Sequence, residues 1–229
     1  MKVVVSWSGG KDSCLASFLA QEQGHELAYL LNMSSVEFRR SSGHGIALEL
    51  ISCQSEALSI PLVQGQFTRQ DSSSYEKSFK ENLSQLKERG VKGVVSGDIH
   101  LPESKEWIAR VCDEVGLETL TPLWGMEVET VFTQFIDLSF EALVVTTKAD
   151  LMGPEWLGRS IDKVFVTDLP RLAENVDLCG ERGEFHTFVT NGPLFHKKIK
   201  VLSTDRVFRE SPPNGYWFLD IKQYEVVAK

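Results

Sequence analysis

From Lys2 to Leu120, short β-branched or apolar runs alternate with segments rich in helix formers, and this alternation restricts the possible folds more than any other feature. Lys2 to Trp7 reads as a strand, and Ser13 to Glu22 as a helix closed by Gly24. A strand over Leu27–Leu31 is followed by a helix from about Gly45 to Leu58 and an extended Ile60-Pro61-Leu62-Val63. Ser73-x-x-Glu76 has the form of a capping box opening a helix that Gly90 ends. Gly93–Ser96 is a buried strand, Ser104–Val115 a helix stopped by Gly116, and Leu117–Leu120 a last short strand. The pattern predicts a parallel sheet with helices on both faces.

Beyond Trp124 the pattern changes. A helix is expected near Glu127–Leu138 and a strand at Ala142–Thr147, then segments punctuated by Gly and Pro, then β-like runs at Lys200–Phe208 and Tyr216–Val227. The expectation is an α/β nucleotide-binding domain over residues 1–124 and a mixed α+β substrate domain over 125–229. A chain of 229 residues has room for both.

Composition narrows the function classes. With 42% hydrophobic and 24% charged residues the chain can bury a core without disulfide or metal staples, which excludes a disordered chain. A net charge of −8 disfavours unspecific attraction to nucleic acid or an anionic membrane. Cys14, Cys53, Cys112 and Cys179 form no C-x-x-C and read as free thiols in a reducing cytosol. Val3-Val4-Val5 is too short for a signal-peptide core, and no apolar run reaches membrane-spanning length, so a cytoplasmic location is expected.

The first chemical signal is Ser8-Gly9-Gly10-Lys11-Asp12-Ser13, between the first strand and the first helix. Glycines let backbone N–H groups approach an anion, the helix N-terminus adds partial positive charge, and Lys11 adds a full one. Ser8 and Ser13 can donate to phosphate oxygens. Asp12 beside phosphates is repelled unless a divalent cation intervenes, which implies Mg²⁺. The string is not a Walker A loop, because the position that would need the first glycine is Val5, inside the strand.

This loop resembles the PP-loop of the ATP pyrophosphatases, and the resemblance narrows to the diphthine-ammonia ligase superfamily. It is carried further by Arg40 with His44-Gly45, Gln54 with Ala57, Ile60-Pro61-Leu62, Pro122-Leu123-Trp124 and Trp156-Leu157-Gly158-Arg159. The most specific block is Asn175 to Thr187, N-V-D-L-C-G-E-R-G-E-F-H-T. Gly97 to Trp107, with its G-D-I and E-W, looks like a bacterial branch, and bacteria lack diphthamide, which leaves the acceptor open. The resemblance implies a PP-loop (adenine nucleotide alpha hydrolase-like) fold, with ATP cleaved to AMP and pyrophosphate to adenylate a carboxylate for amidation. The expected cofactors are ATP and Mg²⁺. The expected partners are a small-molecule or protein-borne carboxylate acceptor and an ammonia or amine donor, with neither membrane nor nucleic acid and with a homo-oligomer left open.

Site residues follow from these readings. Lys11 and Asp12 are the catalytic candidates, with Asp12 on the metal. The nucleotide is assigned Ser6, Ser8, Gly9, Gly10, Lys11, Asp12, Ser13, His44, Gly97 and Asp98. From spacing alone His44 could equally be a solvated loop histidine, and Asp98 a turn or N-cap residue. The acceptor is assigned Glu181, Glu184, Phe185, His186, Thr187 and Trp124, on a recognition loop whose carboxylates and aromatic face would attract a cationic group. His186, or a glutamate, is the base towards an amine. Cys14 and Cys179 read as buried hydrophobes rather than sulfur carriers. The competing classes are a PP-loop sulfurtransferase, thiolating a carbonyl as in tRNA, and a non-catalytic adenine-nucleotide-binding protein.

Overall fold

A computed structural model describes residues 1–173, 176–211 and 214–229, with the side chain of residue 172 left aside. Asn175, which opens the most specific block, lies outside the described residues. The N-terminal half alternates strand and helix: β1 (Lys2–Ser6), α1 (Lys11–Glu22), β2 (Glu26–Ser35), the two-residue β3 (Arg40–Ser41), α2 (Leu48–Leu58), β4 (Leu62–Phe67), α3 (Ser74–Glu88), β5 (Gly93–Val95), α4 (Pro102–Val115) and β6 (Glu118–Leu120). Strands β4, β2, β1, β5 and β6 lie side by side in that order, all parallel, while β3 runs antiparallel to the end of β2. The order reverses about β1, whose neighbours are β2 and β5. Such a switch point opens a crevice at the carboxyl ends of the strands, and the Ser8–Ser13 loop leaves β1 there.

The parallel strands are buried on both faces, which is why they read as apolar runs: Val3, Val4 and Val5 are all fully buried. On one face Val4, Leu31 and Val94 pack under Phe79, Leu83 and Leu86 of α3 and Ile108 and Val111 of α4. On the other, Val3, Val5 and Val95 join a larger core with Leu15, Ile51 and the second half of the chain.

That second half contains α5 (Val128–Asp137), β7 (Glu141–Lys148), a short 3-10 turn (Pro154–Trp156), α6 (Lys163–Leu172), β8 (Phe185–Asn191), β9 (Lys197–Arg209) and β10 (Tyr216–Ala228). Its four strands form an antiparallel sheet in the order β8, β7, β10, β9. Phe132, Phe165, Phe185 and Phe188 extend the same apolar core that Val3 and Val5 enter, so the two sheets are joined by continuous packing.

Three local expectations are corrected. The helix after Ser73 forms, but no capping box does. Ser73 is helical (φ −82°, ψ −17°), and its N–H and hydroxyl both bond Asp71, at 2.9 and 2.7 Å. Glu76 is drawn instead to Lys80, Arg110 and the Trp107 indole. Phe185, His186 and Thr187 are not the end of a loop but the start of β8, a strand masked in the sequence because it lacks a polar/apolar alternation. Finally, α6 has no counterpart in the expected elements; Asp162 caps it through the Phe165 N–H at 2.8 Å.

Candidate active site

Ser8–Gly10 turn the chain from β1 into α1, with Ser6 as the last residue of the strand. Gly10 takes the N-cap position and offers no side chain, which leaves the positive end of the α1 dipole to an anion. Both glycines are required sterically. Gly9 has φ +83°, and a Cβ there would lie 2.6 Å from Gln54 Oε1, while one on Gly10 would lie 2.4 Å from His44 Cε1. The Ser8 and Ser13 hydroxyls are 3.1 Å apart, and Ser13 donates to the Gly10 carbonyl at 3.0 Å.

The start of β8 roofs this loop. The Lys11 N–H donates to Thr187 Oγ1 at 2.9 Å, and the Val189 N–H donates to the Gly9 carbonyl at 3.0 Å. Fully buried Gln54, on α2, ties the pieces together. Its amide donates to the carbonyls of Gly9 and Val189 at 2.9 and 2.7 Å, and its Oε1 accepts from the Trp7 indole at 3.0 Å. Thr187 therefore clamps the loop backbone.

Lys11 is 3% exposed, and its ammonium donates to the Cys179 carbonyl at 2.5 Å and to Asp12 Oδ2 at 2.9 Å, between the rings of Phe132 and Phe185. Burial disfavours this charge most, but the attraction and hydrogen bond of the neighbouring Asp12 carboxylate, with smaller help from other nearby groups, outweigh it. The pKa is raised and the ammonium is retained. The second Asp12 oxygen, Oδ1, is buried with no hydrogen-bond partner among the described residues. Gly97 packs on this helix start, where a Cβ would come within 2.9 Å of the Ser13 nitrogen. Asp98 accepts from the hydroxyls of Ser96 (2.7 Å) and Ser104 (2.5 Å), binding the end of β5 to the first turn of α4.

His44 and His186 form a ring pair beside the loop, with centroids 4.5 Å apart and planes tilted by 35°. His44 Nδ1 lies 2.9 Å from the Thr187 carbonyl. A carbonyl can only accept, so Nδ1 carries the proton and Nε2 is left as the lone-pair nitrogen. Burial lowers the pKa of His44. It lowers that of His186 further, well below the ordinary 6.5, with help from His44 and Lys11. Both rings are neutral at pH 7.

The two glutamates expected to meet a cationic substrate have other work. Glu181 accepts from the backbone N–H groups of Ile99 (2.6 Å) and His100 (2.9 Å). Glu184, 4% exposed, accepts from the Asp177 N–H at 3.1 Å, and its Oε2 has no partner among the described residues. Phe185 is buried in the core, and Trp124, in the turn after β6, stacks under the Lys105 ammonium at 4.2 Å. Of the six residues assigned to the acceptor, His186 alone lines a cleft of ≈ 370 Å³ beyond the histidine pair. The cleft is walled by Phe38, Phe67 and Arg69 from the ends of β2 and β4 and by Arg209, Tyr216 and Phe218 from β9 and β10. Sequence reasoning missed these walls, and the positioning role of Gln54, because the partners lie far apart in the chain and follow no motif.

Loop, switch point and roofing strand together define a phosphate-loop α/β nucleotide protein of the PP-loop class. A family model described as the diphthamide synthase N-terminal domain matches residues 1–119, and one described as the C-terminal domain matches 127–227. The chain belongs to the diphthamide synthase family. It is similar to the diphthine–ammonia ligases of Homo sapiens (28% identical over 232 residues, covering 92% of this chain and 86% of that protein) and of Danio rerio (30% over 231 residues, 90% and 89%). These relatives are eukaryotic and lend no support to a bacterial branch read from Gly97–Trp107. A solved structure titled as a predicted subunit of tRNA methyltransferase, from Methanocaldococcus jannaschii, overlaps 84% of this chain and 98% of its own at 17% identity and a TM-score of 0.44.

Proposed function

We propose that the chain is an ATP-dependent amide ligase: ATP is cleaved to AMP and pyrophosphate, a carboxylate is adenylated, and ammonia displaces AMP to give the amide. The relatives named diphthine–ammonia ligase support the reaction class. The observation that carries it is the α1 N-terminus whose N-cap, Gly10, has no side chain, with a buried lysine and an aspartate oxygen that has no partner among the described residues. Glycine amides and the helix dipole hold phosphate oxygens, with the Ser8 and Ser13 hydroxyls beside them.

Asp12 Oδ1 fits Mg²⁺. Among the described residues no cluster of three or more His, Cys, Asp or Glu could hold a metal, and Mg²⁺ binds through one or two carboxylates together with substrate phosphates. The ion would supply charge neutralisation on the phosphates. Lys11 draws the half-buried Asp12 carboxylate into register and adds the fixed positive charge of the site. The neutral His44 and His186 rings can take the proton released as ammonia becomes an amide. A cytoplasmic setting and a separate substrate-binding half over 125–229 complete the proposal; among the described residues no helix is long and apolar enough to cross a membrane.

A thiol-based transfer is not favoured. Burial pushes the Cys179 thiol up to about 12 and Cys14 well above its usual range, so neither supplies a thiolate. The test is chromatography of nucleotides after incubation with ATP, Mg²⁺, ammonium and fractionated carboxylic acids. AMP and pyrophosphate should appear only with an acceptor acid, and Lys11→Met should abolish both. ADP as the main product would overturn the assignment.

A further inference from the structure

His100 stands in the turn between β5 and α4, at the carboxyl ends of the parallel strands, and no step assigned to ATP or to the acceptor uses it. Both of its ring nitrogens face carboxylates of a single turn in the second half of the chain: Nε2 lies 2.8 Å from Asp177 Oδ2 and Nδ1 lies 3.2 Å from Glu181 Oε2. The grip is reciprocal, because Glu181 in turn accepts from the N–H groups of Ile99 and His100. Two segments 77 to 82 positions apart in sequence are thereby latched together, next to the Gly97 that packs on the start of α1.

What the latch holds is the carbonyl that meets Lys11. Asp177 spends both carboxylate oxygens, Oδ2 on His100 and Oδ1 on the Cys179 N–H at 2.9 Å. Its own carbonyl accepts from the Gly180 N–H at 2.9 Å. That N–H and the Cys179 carbonyl belong to one planar trans peptide, so they point in opposite directions, and the carbonyl is turned onto the Lys11 ammonium at 2.5 Å. An ammonium has three N–H donors. Two of them meet Asp12 and the Cys179 carbonyl, and these two acceptors fix the direction left for the third. Without His100, the Asp177 carboxylate, only 14% exposed, loses the donor on Oδ2 and turns to find another, taking the Cys179 N–H with it.

We infer that His100 is a positioning residue for ATP cleavage: through Asp177 and the Cys179 carbonyl it aims the Lys11 ammonium at the phosphates that depart as pyrophosphate. The inference rests on the ligase reading for that reaction, whereas the aim of Lys11 at an anion in the loop is open to measurement without it. The experiment is titration calorimetry of the full chain with inorganic pyrophosphate and Mg²⁺ as the probe. His100→Leu removes both ring nitrogens and should weaken pyrophosphate binding about tenfold. His100→Gln, whose amide nitrogen reaches the Nε2 position, should stay within about threefold of wild type, while His100→Asn, which reaches only the Nδ1 position, should fall as far as His100→Leu. Lys11→Met still offers the α1 N-terminus and Mg²⁺ to the anion. In that background His100→Leu should cost less than about twofold more, because a residue that acts through the lysine has nothing left to aim. Trypsin cleavage after Arg182, exposed in the latched turn, should speed up in His100→Leu and not in His100→Gln. An unchanged affinity in His100→Leu, an equal loss with and without Lys11, or rescue by His100→Asn as full as by His100→Gln overturns the inference; so does unchanged cleavage at Arg182 in His100→Leu. If the expected pattern is found and AMP never forms, the ligase reading fails and the positioning of Lys11 by His100 stands.

Discussion

Gln54 is a side chain that bonds α2 to both the phosphate loop and β8, and its replacement tests that arrangement directly. Gln54→Leu keeps the volume and removes three buried hydrogen bonds, to Trp7, Gly9 and Val189. Each is worth a net ~1 kcal/mol, and the Trp7 indole N–H, left without an acceptor beside a 2% exposed ring, adds a further ~1–3 kcal/mol of desolvation penalty. The expected loss is about 4–6 kcal/mol by urea unfolding, and on the order of 10–20 °C in Tm for a chain of this size. Gln54→Glu sharpens the test. A carboxylate can still accept from Trp7, but it would face two carbonyl oxygens with no proton to share. At pH 7.5 it should be at least as unstable as Gln54→Leu. The native site raises the pKa of that carboxyl, so the folded state gains protons relative to the unfolded one as pH falls, and the deficit against wild type should shrink between pH 7.5 and 5.5. A loss below about 1 kcal/mol for Gln54→Leu, or a pH-independent deficit for Gln54→Glu, would refute the argument that β8 is pinned to the loop through this amide.

Two further outcomes are expected. The folded chain resists protonation of His44 and His186, whereas an unfolded histidine takes its proton near 6.5, so stability should be full above that pH and decline as pH falls from 7 to 5; His44→Gln with His186→Gln should flatten the decline, as followed by thermal melts across the range. Gly97→Ala places a methyl 2.8 Å from the Asp12 carbonyl carbon, so the start of α1 must shift. We expect about 1–3 kcal/mol of destabilisation and a larger proportional loss of AMP formation than of stability, and an unchanged turnover number would show that this packing does not position the loop.

What the chain discloses locally, it discloses well. Strand and helix periods, the helix-stopping Gly116 and the Ser8–Ser13 string are short-range properties, because backbone preference and the steric need for glycine at Gly9 and Gly10 are set within a few residues. They suffice for the parallel sheet, the phosphate loop at its switch point and the family. The capping box failed because Asp71 and Arg110 competed for its two members, and only packing brings Arg110 to Glu76. The residues assigned to the acceptor are held by contacts of the same kind on a larger scale. Thr187 meets Lys11 across 176 positions of sequence and Cys179 meets it across 168, and no local pattern announces such pairs. Chemistry that reads as a free recognition loop, Glu181 and Thr187 above all, is consumed in fastening the second sheet onto the first. Arg69 and Arg209 are ordinary surface residues until the fold sets both guanidiniums over the ring of Phe38. The type of chemistry is written in residue order, whereas which carboxylates stay free depends on which of them the tertiary fold has already engaged.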